Sequence, residues 1–162
     1  MTSDAPYEQI GWGPYHLRFK NFDPRTIEAS EALLTSNPWI GHKEQKAQGW
    51  ASTVAAVYDM DAPQVRIRPE VPGLGCYLPR THQILMPQMS VTTLFHEFRH
   101  AMQLTQKCTM VRARYGDTQH EEDARAWSLS LFYTLSPGRF GQMVRAGKIL
   151  YVPADTEFPG LD

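Results

Sequence analysis

The chain has 162 residues, of which 42% are hydrophobic and 20% charged, with a formal net charge of −1. That size suits one domain around one core, and the balance is that of an ordinary globular protein. It excludes a chain-wide basic field for nucleic acid or an anionic membrane, and no apolar run reaches the ~18 residues that a membrane span requires.

The opening "MTSDAPYEQIGWG" lacks the basic and apolar regions of a signal peptide, so a cytoplasmic location is expected. "YHLRFKNF" (15–22) alternates Tyr15, Leu17 and Phe19 with His16, Arg18 and Lys20, the period of a half-buried strand. "DPRTIEASEALLTSNP" (23–38) reads as a helix with Asp23 as N-cap and Pro24 at its first position, closed by Asn37-Pro38. "KEQKAQGWASTVAAVYDM" (43–60) reads as a second helix, with Trp50, Val54, Val57 and Tyr58 on one face. "QVRIRPE" (64–70) is a short strand, and "GLGCYLPRTHQILMPQ" (73–88) is two short strands joined around Pro79-Arg80-Thr81.

"MSVTTLFHEFRHAMQLTQ" (89–106) is the strongest helix signal, with Ser90 as N-cap. "KCTMVRARYGDTQ" (107–119) connects it to a helix at "HEEDARAWSLSLFYTL" (120–135), whose apolar stripe is Ala124, Trp127, Leu131 and Phe132. Ser136-Pro137-Gly138 ends that helix, "GRFGQMVRAG" forms a last short one, and 147–162 reads as a tail. Cys76 and Cys108 lack metal-type spacing and are expected as free thiols. With no repeat or linker, the order implies a single α+β domain over 1–162.

The third helix carries the chemistry. His96 and His100 are four apart, so their imidazoles stand one above the other on one helical face and can converge on a metal. Neutral imidazole suits zinc. Glu97 flanks that point as a carboxylate able to take a proton from water that the metal activates. A shuffled chain of this composition yields H-E-x-x-H about once in a hundred, but a chance match need not fall on the best helix among apolar neighbours. A third ligand is expected from "HEEDARAWS". Glu121 lies one turn before Ala124 and shares its inward face, whereas Glu122 is rotated about 100° away. Taken alone, these acids are an ordinary helix N-terminus favoured by the macrodipole. Beside an H-E-x-x-H helix, Glu121 is the expected ligand. Arg99 is expected to pair with Asp123 or Glu122.

His96-Glu97-x-x-His100 followed by Glu121-Glu122-Asp123-Ala124 resembles the gluzincin metallopeptidases, which carry HExxH on one helix and a glutamate, often in E-x-x-A, on the next. The E-x-[DE]-A form is similar to their small members, the ImmA/IrrE-like and M48-like groups. "GCYLPRTHQILMP" is similar to the hairpin such proteins place before the metal helix. The resemblance covers about residues 64–135, with Phe98 and Arg99 departing from the usual small residue after the glutamate. It implies a zincin-like fold, with a small, mostly antiparallel sheet packed on the HExxH helix. It also implies one Zn²⁺ per chain held by His96, His100 and Glu121, and hydrolysis of a protein or peptide with Glu97 as general base. Tyr115, His120 and Arg125 are candidates for an oxyanion donor, or in the case of His120 for a partner of a ligand.

The segment around His82–Met86 is expected to be an edge strand that can pair with an extended peptide, and the tail is a candidate to shield that groove. The alternative function is a regulatory or binding module on the same fold with little or triggered proteolysis. Arg112 and Arg114 alone do not argue for nucleic acid, and no membrane partner is expected.

Overall fold

The computed structural model describes residues 22–105 and 118–148. The strand expected at 15–22 (all but Phe22), most of the 107–119 connection with Tyr115 and Cys108, and the tail from 149 lie outside the described residues.

Five helices and three strands follow in the order α1 (Pro24–Thr35), α2 (Lys43–Val57), β1 (Gln64–Ile67), β2 (Cys76–Leu78), β3 (Gln83–Met86), α3 (Val91–Leu104), α4 (Thr118–Leu135) and α5 (Pro137–Arg145). Helix α1 starts where its cap chemistry places it: the Asp23 carboxylate accepts from the Arg25 amide at 2.9 Å, with Pro24 at the first helical position. Trp50 of α2 docks on α1 by donating from Nε1 to Ser30 Oγ at 2.8 Å, and its ring packs against Phe95 and Phe98 of α3.

The sheet order is β1-β3-β2. β1 runs parallel to β3 and β2 antiparallel to it, with Val65 and Tyr77 both opposite Ile84. These three side chains are buried and form one apolar row across the sheet. Two expectations are corrected here. The sheet is mixed rather than mostly antiparallel, and β3 is its central strand, so the segment around His82–Met86 has no free edge to offer. The parallel partner comes from β1, which sequence reading left unpaired.

The outer edge of β1 is closed by α2. Val65 N–H donates to Gln48 Oε1 and Ile67 N–H to Glu44 Oε1, each at 2.8 Å, where a further strand would otherwise bind. The β2–β3 turn is fixed by His82, which adopts a left-handed φ of 53°. Its Nε2 donates to the Asp61 carbonyl at 2.8 Å, so Nδ1 accepts from the Tyr77 hydroxyl at 2.6 Å.

Helix α3 lies between this sheet and α4. Ser90 caps it, its hydroxyl accepting from the Thr93 amide at 3.2 Å. Phe95, Phe98, Ala101 and Met102 are buried, and so are Glu97, Arg99, His100 and Gln103, so α3 is buried around most of its circumference, with its polar groups entering the interior along one side. On α4, Ala124, Trp127, Leu131 and Phe132 form the buried stripe, and Phe98 stacks on Trp127. Ser136 and Pro137 open α5. Gly147, at φ 71°, and Lys148 close α5, their amides donating to Val144 O and Met143 O. These two residues are therefore a helix cap, not the start of a tail. No described helix is long and apolar enough to cross a membrane.

Candidate metal centre

His96 and His100 sit one turn apart on α3, with ring centroids 4.9 Å apart. Because α4 returns alongside α3, Glu121 from its first turn meets both. Its Oε2 lies 2.9 Å from His100 Nε2, and its Oε1 lies 3.3 Å from His96 Nε2. One ligand atom from each of the three residues falls within 4.8 Å of the others. Two imidazoles and a carboxylate are the donor set that zinc takes in three-ligand sites, so the residues fit a metal ion. Glu122, one residue on, is exposed.

The electrostatics follow from the same contacts. Hydrogen bonds to His100 and then His96 hold the Glu121 carboxyl far below the ordinary carboxylate range, more than offsetting its partial burial. Burial pulls the His100 pKa down, but hydrogen bonds to Glu121 and Gln103 together with the charges of Glu97 and Glu121 raise the net value. Glu97 behaves oppositely. It is 8% exposed, and burial pushes its pKa up, against the pull of the two histidines. Its Oε2 lies 3.9 Å from His96 Nε2, and the backbone of Tyr77 on β2 is close enough to lower its pKa slightly against the burial. Strand β2 therefore runs past the general-base candidate.

The centre opens into a cleft of about 510 Å³. It is lined by Leu74 and Gly75 before β2, by Arg125 and Leu129 of α4, by Met143 and Lys148 at and beyond α5, and by His96, Glu97 and Glu121. Gly75 is required there. Its φ is 146°, and a Cβ would come within 2.8 Å of both Leu85 O and Thr93 Cγ2.

Of the three expected oxyanion or supporting residues, Arg125 lines the cleft, one turn beyond Glu121. The His120 side chain is fully buried away from the cleft lining, and its carbonyl accepts from Gln103 Nε2 at 3.0 Å. Tyr115 lies outside the described residues. Arg99 pairs with Asp123, as expected, through bonds of 2.8 and 3.2 Å. Sequence reading did not single out Gln103, whose Oε1 lies 2.7 Å from His100 Nδ1. Its spacing of three from His100 was the available signal. The cleft residues Leu74, Leu129, Met143 and Lys148 had none, since only packing brings them together.

Comparison of the chain with protein-family models, with curated proteins and with solved structures finds no match.

Proposed function

We propose that this chain is a zinc-dependent metallopeptidase acting on extended protein or peptide segments. The observation that carries the reading is the convergence of His96, His100 and Glu121 within 4.8 Å, with the buried Glu97 carboxylate beside them in the lining of a cleft. The gluzincin-like motif on α3 and α4 supports the same reading.

Zinc, when bound by these three residues, supplies a Lewis acid that acidifies water and polarises a scissile carbonyl. Glu97 is the proton carrier: it accepts a proton from the attacking water and delivers it to the leaving amine. A carboxyl whose pKa is raised by burial is better matched to that shuttle than an exposed one. Arg125, which lines the cleft, is a candidate to donate to a developing oxyanion.

The strand available to pair with substrate is β2, the sheet edge that α2 does not close and that directly follows the cleft residues Leu74 and Gly75. Its neighbour Leu74 is exposed and lines the cleft together with Leu129 and Met143. A substrate side chain entering there meets an apolar surface.

The test is reconstitution. Chelator-treated protein should cleave an unfolded polypeptide only after zinc is restored, with activity saturating at one equivalent per chain. Zinc uptake at one equivalent with no hydrolysis of any unfolded polypeptide would leave the alternative of a binding module. No uptake at micromolar zinc would reject the metal centre itself.

A further inference from the structure

The geometry points to Gln103 as the residue that sets the metal-binding form of His100. This inference rests on the metal-centre reading above and concerns how that centre is held.

The Gln103 amide has a determined orientation. Its nitrogen end lies 2.7 Å from Asp123 Oδ2 and 3.0 Å from the His120 carbonyl. Both of those atoms only accept, so the NH₂ group must face them. The oxygen end must then face His100 Nδ1, at 2.7 Å. An amide oxygen has no proton to give, so Nδ1 of His100 carries the hydrogen. Nε2 is thereby the nitrogen directed at Glu121 Oε2, 2.9 Å away, donating its proton there in the imidazolium and offering its lone pair when that proton is lost. At that distance the two atoms need a positive charge between them, either the proton on Nε2 or a metal ion that displaces it. Gln103 thus prepares one ligand to bind through Nε2 and makes the space between His100 and Glu121 a cation site.

Gln103 is itself held from behind. Asp123 accepts from Gln103 and from the Arg99 guanidinium, and Arg99, Asp123, Gln103 and His100 are all buried. The orientation therefore passes in one direction: Arg99 fixes the Asp123 carboxylate, Asp123 fixes the Gln103 amide, and Gln103 fixes the His100 ring. Water does not compete for these groups, so each bond keeps its direction. A ligand histidine usually donates its second N–H to a carboxylate, a backbone carbonyl or water. Here an amide does the same, with the carboxylate one step behind it. Gln103 is a positioning residue, because it acts through His100.

Two substitutions separate this role from a merely structural one. Gln103→Met removes the acceptor and the donor while keeping a similar volume. Gln103→Glu keeps an acceptor for His100 Nδ1 but sets a carboxylate against Asp123 Oδ2 and the His120 carbonyl. We expect Gln103→Met to weaken zinc binding about 10–100-fold in competition with a chromogenic chelator. Gln103→Glu should hold zinc within a few-fold of wild type while melting at a lower temperature. In zinc-loaded protein, the Nδ1 proton of His100 should give a downfield, slowly exchanging NMR signal, present in wild type and Gln103→Glu and absent in Gln103→Met. Equal zinc affinity in wild type and Gln103→Met would overturn the inference and leave the metal centre standing. So would affinities that simply follow melting temperature, or zinc ligation through Nδ1. A wild type that takes up no zinc would overturn both.

Discussion

Replacing Arg99 by Met isolates the buried ion pair that joins α3 to α4. Arg99 is fully buried, donates to Asp123 Oδ2 and Oδ1 at 2.8 and 3.2 Å, and lies 5.7 Å from the centre of the Trp127 ring. Methionine fills much of the same stem volume, so the cavity cost is small. The dominant effect is the loss of the guanidinium from a carboxylate that stays buried. Removing one member of such a pair costs about 3–5 kcal/mol. A domain of this size has ~5–15 kcal/mol in total, so the variant should lose about a fifth of its stability or more. The corresponding fall in melting temperature is roughly 6–20 °C. Urea unfolding followed by far-UV circular dichroism measures it. The pair Arg99→Met with Asp123→Leu should be less damaged than Arg99→Met alone, because no uncompensated charge remains. A single variant within about 1 kcal/mol of wild type would refute the reasoning, as would a double variant weaker than the single by the full cost of a second substitution.

Other consequences are equally specific. Gly75→Ala should destabilise the fold more than Gly73→Ala, because a Cβ at 75 meets Leu85 O and Thr93 Cγ2 at 2.8 Å while one at 73 meets nothing within 4 Å; comparing their urea midpoints decides it. Glu121→Ala should weaken zinc binding far more than Glu122→Ala, since only Glu121 reaches both histidines; chelator competition reversing that order would mean that α4 is turned the other way. Hydrogen bonding from the Ile67 amide lowers the Glu44 pKa. The stabilisation from Glu44 is therefore complete above the unfolded glutamate pKa and lost as pH falls through the lower folded value. Glu44→Gln should consequently lose less stability on acidification than wild type, and parallel acid limbs for the two proteins would contradict this.

The legible parts of the molecule were those with local causes. Helix α3 announces itself through Ser90 and its apolar positions, and the convergence of His96 and His100 follows from a spacing of four. Glu121 could be chosen over Glu122 because Ala124 and Trp127 set the phase of α4. The Arg99–Asp123 pair was readable because a charge inside an apolar helix needs an opposite partner. The β2–β3 hairpin was also readable, but its place in the sheet was not. That β1 lies parallel to β3 depends on α2 closing the far edge of β1 through Glu44 and Gln48, a tertiary arrangement with no local signal. The edge therefore fell to β2, and the strand expected to receive substrate turned out to be central. Gln103 was missed for a related reason. A glutamine on a helix reads as solvent-facing until α4 folds back and brings Asp123 and the His120 carbonyl to its amide.

The central claim is that Glu97 performs proton transfer beside a metal held by its neighbours, and Glu97→Gln tests it most directly. Gln is nearly the same size but cannot accept the proton. With zinc content measured in the same samples, wild type and Glu97→Gln should each carry one zinc per chain, and only wild type should cleave an unfolded polypeptide. An equal cleavage rate in the two zinc-loaded proteins would contradict the account, because the hydrolysis would then not pass through Glu97.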